Sequence, residues 1–454
     1  MLLYVAVALS TVAVLLLATA PVFGVALLFI VKPIADTLFA QPILFGFPLG
    51  YIVGGLVPVV ILGHLLFARR EQAFHRMPLR FIWALYAADI VFFSLFIVYN
   101  QDITSGVNVF FRHINGFIGF YMVQAFFHDD RGKKLKVLLL ALIAAGLFPM
   151  GIGAYQLLTG KVWVAAQVEG ITRYVGLYHD GFTVRYYAFQ TILALVLYGS
   201  LFARSFFAKS VVLAYGVIST AVMIGAYSKT GVASMMIWVT SWTLLQKKIL
   251  TFLLLAACAG VLGTYYASNI AANIVQLFHK EIGHFEGKVK LERTFQGRWY
   301  VWQEMMSRWQ RFHWLQKGFG TGMVATGAHN DYLQILFHGG ILGLFVYLAL
   351  LFSVGIQIAS NLRKKIDPMA VAALMLFLMW LVDTIGLVPS AYPGYQWFVW
   401  GMIGLSFRFR QEEALAARQK ESARKAAESE GEVGGGFAVP SALSARRRFT
   451  NLLP

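Results

Sequence analysis

Long apolar runs separated by short polar segments dominate this chain of 454 residues. Apolar runs of about 18 residues or more are typical of transmembrane helices, because about 20 residues cross the hydrocarbon core of a bilayer. The first run is long for one crossing and carries Pro21, so we expect either one kinked span or two tight ones. The whole pattern predicts spans at 3–31, 46–68, 80–99, 107–127, 137–158, 186–206, 210–226, 231–246, 249–267, 335–357, 368–386 and 394–408.

Composition supports the same class of protein. Hydrophobic residues make up 59% of the chain and charged residues only 13%, which lies outside the range of soluble globular domains. We therefore predict an all-α polytopic membrane protein with about 12 transmembrane helices. The first apolar run lacks a basic segment before it and a small-residue cleavage site, so we expect a retained span rather than a signal peptide. The single cysteine, Cys258, excludes a disulfide framework and a thiolate metal cluster.

Basic residues fall in alternate loops, which indicates the orientation of the spans. Lys and Arg are enriched in cytoplasmic loops, so these clusters explain most of the net charge of +17 without a nucleic-acid partner. The loops near 100–106, 159–185 and 268–334 then face the opposite side. The predicted organisation is transmembrane helices 1–9 in 1–267, a long polar loop in 268–334, transmembrane helices 10–12 in 335–408, and a partly disordered cytoplasmic tail in 409–454.

An amphipathic helix is predicted inside the long loop, at 295–312. Trp299, Trp302, Met306 and Trp309 follow one another at i, i+3, i+7 and i+10, which places them on one helix face. Such a helix can lie at the membrane surface with aromatic anchors, or it can pack its apolar stripe against a core. The two interpretations are compatible, and the sequence favours neither.

Several basic groups fall on the predicted non-cytoplasmic side, against the usual bias. Arginine forks bind phosphate oxygens in pairs and lysine supplies a point charge, so a converging set would suit a diphosphate. The alternative for each is a residue that snorkels to the interface and contacts lipid phosphate. The candidates are Arg112, Arg173, Arg185, Lys229, Arg298 and His329.

His329 comes immediately before an apparent helix start, where Asn330 or Asp331 is expected to be the cap. The positive potential at a helix N-terminus favours a neutral imidazole, which can accept a proton. No metal-ligand spacing is present around His279 and His284, so we predict no metal site. The carboxylates that could replace His329 as the base are Glu169, Asp180, Glu292 and Asp331.

Two carboxylates, Asp89 and Asp383, lie within predicted spans, where a polar group is costly. Either could belong to a proton path, as in a transporter, or be the partner of a buried arginine. We favour a structural role for both, in an ion pair or as a hydrogen-bond partner.

The stretch from Gly297 to Gly343 resembles the O-antigen ligase and Wzy-type polymerase superfamily of bacterial membrane glycosyltransferases. The family pattern is a Gly-Arg pair, a Trp four residues after the Arg, a Gly-x-Gly turn, and a His-Asn pair before a Gly-rich transmembrane helix. Two further segments fit: Thr172–Leu177 resembles the Arg-x-x-Gly motif, and Ser228-Lys229 falls where the family mostly has Ser-Arg, so Lys229 is a departure. The residues that match the main pattern are Gly297-Arg298, Trp302, Gly318-Phe319-Gly320 and His329-Asn330.

The resemblance covers about 137–357 by motif and most of the chain by span pattern. It implies a transmembrane glycosyltransferase fold in the bacterial inner membrane, with 268–334 as a periplasmic catalytic loop containing amphipathic helices. Similar proteins transfer an undecaprenyl-diphosphate-linked glycan, without a metal or other cofactor, to a hydroxyl of the lipid A core, of another lipid-linked repeat or of a protein. Donor, acceptor and membrane lipids would be the partners, and nucleic acid would not.

The resemblance also implies roles for individual residues. Arg298 would bind the diphosphate and stabilise its developing charge, and His329 would take the proton of the acceptor hydroxyl. The other diphosphate-binding residues would be Lys229, Arg173, Arg112 and Arg185, and the residues that shape the loop would be Gly318, Gly320, Gly322 and Asn330.

Two rival functions remain open. A polysaccharide transporter or flippase would use Asp89, Asp383 and Arg112 as its path, although the sequence has no internal repeat of the kind many transporters show. A scaffold of a polysaccharide export complex is the third possibility.

Overall fold

Helices make up almost all of the structure. The computed structural model describes residues 2–44, 46–67, 74–128, 132–247, 272–325 and 327–433. Its α-helices are α1 (Leu2–Thr19), α2 (Pro21–Asp36), α3 (Leu49–Leu66), α4 (Arg80–Asn100), α5 (Ile103–Phe127), α6 (Lys133–Thr159), α7 (Gly181–Leu201), α8 (Phe206–Gly225), α9 (Lys229–Gln246), α10 (His279–Phe285), α11 (Arg298–Gln310), α12 (Trp314–Phe319), α13 (Asp331–Lys364), α14 (Pro368–Gly386) and α15 (Pro393–Val433).

The remaining elements are short. Two antiparallel ladders pair β1 (Pro42–Leu44) with β2 (Phe47–Pro48), and β3 (Gln167–Val168) with β4 (Ile171–Thr172). Single 3₁₀ turns occur at Phe74–Arg76, Leu291–Arg293, Phe295–Gly297 and Pro389–Ala391. The chain forms one compact unit up to Phe409 and a second unit from Arg410 onward, and α15 contributes to both.

Seven of the described helices are long and apolar enough to cross a membrane: α1, α3, α4, α6, α8, α13 and α14. This confirms a helical membrane protein, whereas the figure of about 12 crossings stays a prediction. Helices α5, α7, α9 and α15 occupy four other predicted spans. In α5 and α7 a few of the buried positions are polar, for example Asn115 and Gln190. The predicted span 249–267, with Cys258, lies outside the described residues.

The first apolar run is broken into two helices at Pro21. Of the two, only α1 is long and apolar enough to count as a candidate span, so one kinked span or two tight ones stays open. Proline has no N–H, so the carbonyl of Leu17 loses its usual intrahelical donor. The His64 Nε2 atom lies 2.7 Å from that carbonyl oxygen and satisfies it. Helix α2 then lies so close to α1 that a Cβ on Gly24 would come within 2.2 Å of the Leu17 backbone.

Helix α13 is interrupted at Gly340, and a loop segment fills the interruption. Gly340 has φ 68° and ψ −161°, a conformation that only glycine adopts readily. The Thr321 N–H donates to the Phe337 carbonyl at 2.8 Å, and the Ala325 N–H lies 3.1 Å from His338 Nε2. The interruption thus frees the Phe337 carbonyl to bind Thr321, and the His338 side chain holds the same loop segment at Ala325.

Two of the three glycines expected to shape this loop have unusual backbone angles. Gly320 has φ 103° and ψ 166°, and Gly322 has φ 68°. The expectation was wrong for Gly318, which lies within α12 and has no positive φ. Its neighbourhood is also open, whereas a Cβ on Gly320 would lie 1.8 Å from the His338 carbonyl oxygen.

These two glycines make a matched pair for a test of stability. An L-residue with a positive φ costs roughly 1–2 kcal/mol. We expect Gly320→Ala to destabilise the protein by more than that, because its Cβ would also clash with the His338 carbonyl. Gly318→Ala should stay within about 0.5 kcal/mol of the parent. The measurement is the fraction of monodisperse protein left after heating in detergent. Equal melting curves for the two variants would contradict the docking of 318–325 into α13.

Candidate functional site

The predicted basic residues gather where α7, α9 and α13 begin and α14 ends, which we call the site end of the bundle. Arg185 of α7 donates to the Thr230 hydroxyl of α9 and to Asp383 of α14. Ser390, just before α15, donates from its hydroxyl to Asp331 at the start of α13 at 2.7 Å. These contacts join helix ends that are far apart in sequence.

The C-terminal end of α14 holds both of the main motif pairs. Arg298 Nη1 donates to the Gly386 carbonyl, and Asn330 Nδ2 donates to the Ile385 carbonyl at 2.9 Å. The last carbonyls of a helix lack intrahelical donors, and a cation there also interacts favourably with the helix dipole. Asn330 is at the same time the cap of α13, since its Oδ1 accepts from the Leu333 N–H at 3.0 Å. Arg298 and the His-Asn pair are thus fixed to one helix end.

The predicted amphipathic helix is α11, and it packs against the rest of the protein. Met305 is buried together with Ala328 and Phe337, and Trp302 Nε1 donates to the Ala328 carbonyl at 2.8 Å. This confirms the packed interpretation, while contact with a membrane surface stays a prediction.

A mostly apolar cavity of about 330 Å³ lies between α11 and the start of α13. Trp299, Trp302 and Met306 line it from α11, and Asn330 and Leu333 line it from the other side. It therefore lies directly beside two of the motif positions.

Arg173 is held through the backbone in the same way as Arg298. Its Nε donates to the Ala226 carbonyl at 2.8 Å, and Gly181 leaves the room that its guanidinium occupies. Burial lowers the pKa of Arg173, Asp180 opposes that shift, and the charges of Arg185 and Arg298 add to it. Burial and the charge of Arg185 lower the pKa of Arg298 as well.

Within the described part of the chain, neither Arg173 nor Arg298 forms an ion pair with a carboxylate. Both are half-buried, and each uses one N–H group on a carbonyl oxygen. Arginine has five N–H donors. Two close cations at the site end therefore keep donors for a further acceptor.

Arg185 is different, because its charge is neutralised inside the bundle. Its side chain is 1% exposed, and Nη2 lies 2.7 Å from Asp383 Oδ1. The other carboxylate oxygen accepts from the Tyr395 hydroxyl at 2.6 Å. The predicted role of Asp383 as the partner of a buried arginine is confirmed, and Arg185 has little charge left for an external ligand.

Lys229 is also paired. Its Nζ lies 2.7 and 2.8 Å from the two carboxylate oxygens of Glu281, and the Phe295 N–H donates to the same carboxylate at 2.9 Å. Burial raises the pKa of Glu281, but the hydrogen bonds from Lys229 and Phe295 outweigh it and hold the pKa below its usual value. Lys229 thus ties the polar loop to α9.

Arg112 and Asp89 both lie beside α13. Arg112 Nη2 is 3.3 Å from Gln334 Oε1, and its Nε is buried without a partner among the described residues. Asp89 approaches Gly339 and Gly343 at the interruption of α13, and in the described structure its Oδ2 also lacks a hydrogen-bond partner. The predicted arginine partner for Asp89 is not present in the described structure.

His329 is exposed and precedes the cap of α13, as predicted. Its φ is 44°, a left-handed angle that is unusual for a histidine. Partial burial of the ring and the nearby charge of Arg298 lower the pKa of His329, which favours the neutral imidazole. Within the described residues, no hydrogen bond holds its side chain.

Most of the carboxylates that were predicted as alternative bases already form ion pairs or hydrogen bonds within the protein. Glu169 pairs with Lys280 at 2.7 Å, and Asp331 accepts from Ser390. Asp180 caps α7 by accepting from the Thr183 N–H at 2.7 Å. Glu292 is exposed.

The sequence interpretation missed His179, whose Nε2 lies 2.8 Å from Asp180 Oδ2. Asp180 also accepts from the Tyr392 hydroxyl at 2.6 Å. A capping signal was present, since Asp180 stands three residues before Thr183 at the start of an apolar run. This signal identifies Asp180 as the cap, but it does not reveal that the His179 ring contacts the Asp180 carboxylate.

Comparison with known proteins gives no match: neither a family model nor a curated protein matches this chain.

Two ion pairs of different burial give a testable contrast in stability. Asp383→Asn leaves Arg185 buried without its counter-charge, so we expect a loss of about 3–5 kcal/mol. Glu281→Gln breaks a more accessible pair, and we expect a loss on the order of 1 kcal/mol. Thermal unfolding of the purified variants in one detergent measures both. A smaller effect of Asp383→Asn than of Glu281→Gln would contradict the buried pair.

Proposed function

We propose that this protein is a metal-independent membrane glycosyltransferase. It moves a glycan from an undecaprenyl-diphosphate donor to an acceptor hydroxyl on the periplasmic side of the bacterial inner membrane. The observation that carries the proposal is the pair Arg173 and Arg298, two half-buried cations without carboxylate partners in the described structure. The acceptor is the lipid A core or a second lipid-linked glycan, corresponding to a ligase or a polymerase.

The diphosphate of the donor would supply the missing negative charge. Burying a cation without a counter-charge is costly, so an anion bound between Arg173 and Arg298 is stabilised. Their contacts to the carbonyls of Ala226 and Gly386 fix both guanidinium groups before the donor arrives. Fixed cations stabilise the charge that develops on the leaving diphosphate without reorganising.

The other basic residues would contribute less directly. Arg185 lies close enough to lower the pKa of both arginines, so it raises the local positive potential although Asp383 neutralises it. Lys229 would have to leave Glu281 to reach the donor. Arg112 would act from α5, where it contacts Gln334 near the start of α13.

On the acceptor side, His329 is adjacent to Arg298 and exposed. As a neutral imidazole it can bind the acceptor hydroxyl and take its proton while the oxygen attacks the anomeric carbon. The bond from the anomeric carbon to the phosphate oxygen breaks, and its electrons leave with the diphosphate. The apolar cavity beside α11 would hold the isoprene units nearest the diphosphate.

One observation favours the alternative, a polysaccharide transporter or flippase. Asp89 faces the interruption of α13, and its buried Oδ2 has no partner in the described structure. Interrupted helices with ionisable neighbours are typical of transport sites. An assay that follows both glycan transfer and movement of the donor between leaflets separates the two functions.

The test uses the purified protein in liposomes with a lipid-linked repeat, with and without lipid A-core. We expect a longer or ligated glycan together with free undecaprenyl diphosphate, and a chelator should not change the rate. Movement of the donor between leaflets without any new glycosidic product would support the transporter instead. Activity lost to the chelator and restored by magnesium would contradict the metal-independent site.

Arg298 and Lys229 should differ in the size of their effect. Arg298→Gln removes an unpaired cation, so we expect roughly 10- to 150-fold slower transfer, equivalent to about 1.5–3 kcal/mol. Lys229→Gln removes a cation that Glu281 already neutralises, so its effect should be several-fold smaller. Initial rates and donor affinity, normalised to folded protein, measure both. A larger loss in Lys229→Gln than in Arg298→Gln would mean that Lys229 leaves Glu281 and binds the donor.

A further inference from the structure

His329 is one imidazole able to accept the proton of the acceptor hydroxyl, but it has no orienting partner. The geometry points to His179, oriented by Asp180, as the general base of the transfer. This inference rests on the proposed function and adds a catalytic residue to the same site. His329 would then bind the acceptor hydroxyl without taking its proton.

The pair has the arrangement of a base with its orienting carboxylate. His179 Nε2 lies 2.8 Å from Asp180 Oδ2. When Nε2 carries the proton and donates it to the carboxylate, Nδ1 keeps a lone pair. The structure shows no hydrogen-bond partner for Nδ1 among the described residues, and the side chain is 48% exposed. A neutral imidazole held in this way can accept a proton from outside.

The carboxylate is itself held from several directions. The Tyr392 hydroxyl donates to Asp180 Oδ2 at 2.6 Å, while the Thr183 N–H and hydroxyl donate to Oδ1 at 2.7 and 2.8 Å. The His179 ring also lies against Phe39, with ring centroids 4.9 Å apart. Asp180 is thus fixed at the start of α7, and the imidazole is fixed by its carboxylate and by a ring contact.

The pair is adjacent to one of the two unpaired arginines. A Cβ on Gly181, the residue after Asp180, would lie only 2.1 Å from Arg173 Nη2, so the guanidinium occupies the space beside it. The charge of Asp180 also acts on Arg173. Arg173 therefore lies beside the same helix start that carries His179, and the proposal places the acceptor hydroxyl at this turn.

Proton transfer balances in this arrangement. The acceptor oxygen forms the new bond to the anomeric carbon, and the bond from that carbon to the diphosphate oxygen breaks. The hydroxyl proton passes to His179 Nδ1, and the Nε2 proton stays in its hydrogen bond to Asp180. The resulting imidazolium is stabilised by the carboxylate and can later release the proton to water.

The pKa values of His179 and His329 are shifted in opposite directions. The hydrogen bond to Asp180 raises the pKa of His179, burial opposes it, and the charges of Asp180 and Asp36 raise it further. Asp36 faces this region from the end of α2 and pairs with Lys32. Burial and Arg298 instead lower the pKa of His329.

These directions predict the pH dependence of kcat/KM. A base works only when neutral, so activity falls as the pH drops through its pKa in the free enzyme. With His179 as the base, the acid limb lies above the ordinary histidine value of about 6.5. Asp180→Asn should move that limb to lower pH, and asparagine still caps α7. With His329 as the base, the acid limb lies below that value and does not move in Asp180→Asn.

The experiment compares the parent chain with His179→Gln, Asp180→Asn and His329→Gln, and uses His75→Gln as the control at an exposed histidine outside the site. We expect His179→Gln to lose about 10²- to 10⁴-fold in kcat with an unchanged donor KM and to lose the acid limb. Melting temperatures show which variants are folded. An acid limb that stays in His179→Gln, or a loss of less than about tenfold in that variant, overturns the inference while the proposed function stands.

A readout without substrate keeps the two proposals separate. Hydrogen–deuterium exchange at the imidazole C2 position, followed by mass spectrometry, gives the pKa of each histidine in the full-length protein. His179 should titrate above His329, and only His179 should shift downward in Asp180→Asn. An unshifted His179 overturns the pair. Absence of transfer by the parent chain to every acceptor overturns the proposed function, and the catalytic role of His179 with it.

Discussion

The last carbonyls of α14, which have no donor within their own helix, are the constraint on which the site depends. A helix end inside a protein must find donors for its last carbonyls. Here the donors come from Arg298 at the start of α11 and from Asn330 at the start of α13. Satisfying one helix end therefore brings together two segments about 30 residues apart in sequence. The position of His329 follows, because it is joined directly to Asn330.

Charge balance then separates residues that look alike in sequence. The buried Arg185 has Asp383, and Lys229 has Glu281, so each pair offsets its own desolvation cost. Arg173 and Arg298 have carbonyl oxygens as their hydrogen-bond partners, which orient a guanidinium without neutralising it, and Asp180 acts on Arg173 only through its nearby charge. Among the described residues the site end thus holds two guanidinium groups that no carboxylate binds, next to an exposed imidazole. These two unpaired guanidinium groups, rather than the number of basic residues, indicate an anionic ligand.

The sequence predicted helices at every span that the described residues cover, because length and apolar composition are local signals. It also predicted a buried arginine for Asp383, since a lone buried charge is costly, but not which arginine. The carbonyl partners of Arg298 and Asn330 lie 88 and 55 residues away and leave no side-chain pattern. The same holds for Glu281 opposite Lys229, which is a pairing between a loop and a helix start.

The direction of the helices adds a second source of positive potential at the site end. Helices α7, α9 and α13 begin there, with Asp180, Ser228 and Asn330 as their caps. A helix N-terminus carries about half a positive charge, and a C-terminus carries the opposite. The C-terminal end of α14, which carries negative potential, lies at the site end as well, and Arg298 compensates it by donating to the Gly386 carbonyl. The negative helix end is thus compensated inside the protein. The positive ends of α7 and α13 carry the carboxylates of Asp180 and Asp331, whereas α9 is capped by the uncharged Ser228, so its positive end favours an anion in the same place as the side chains do.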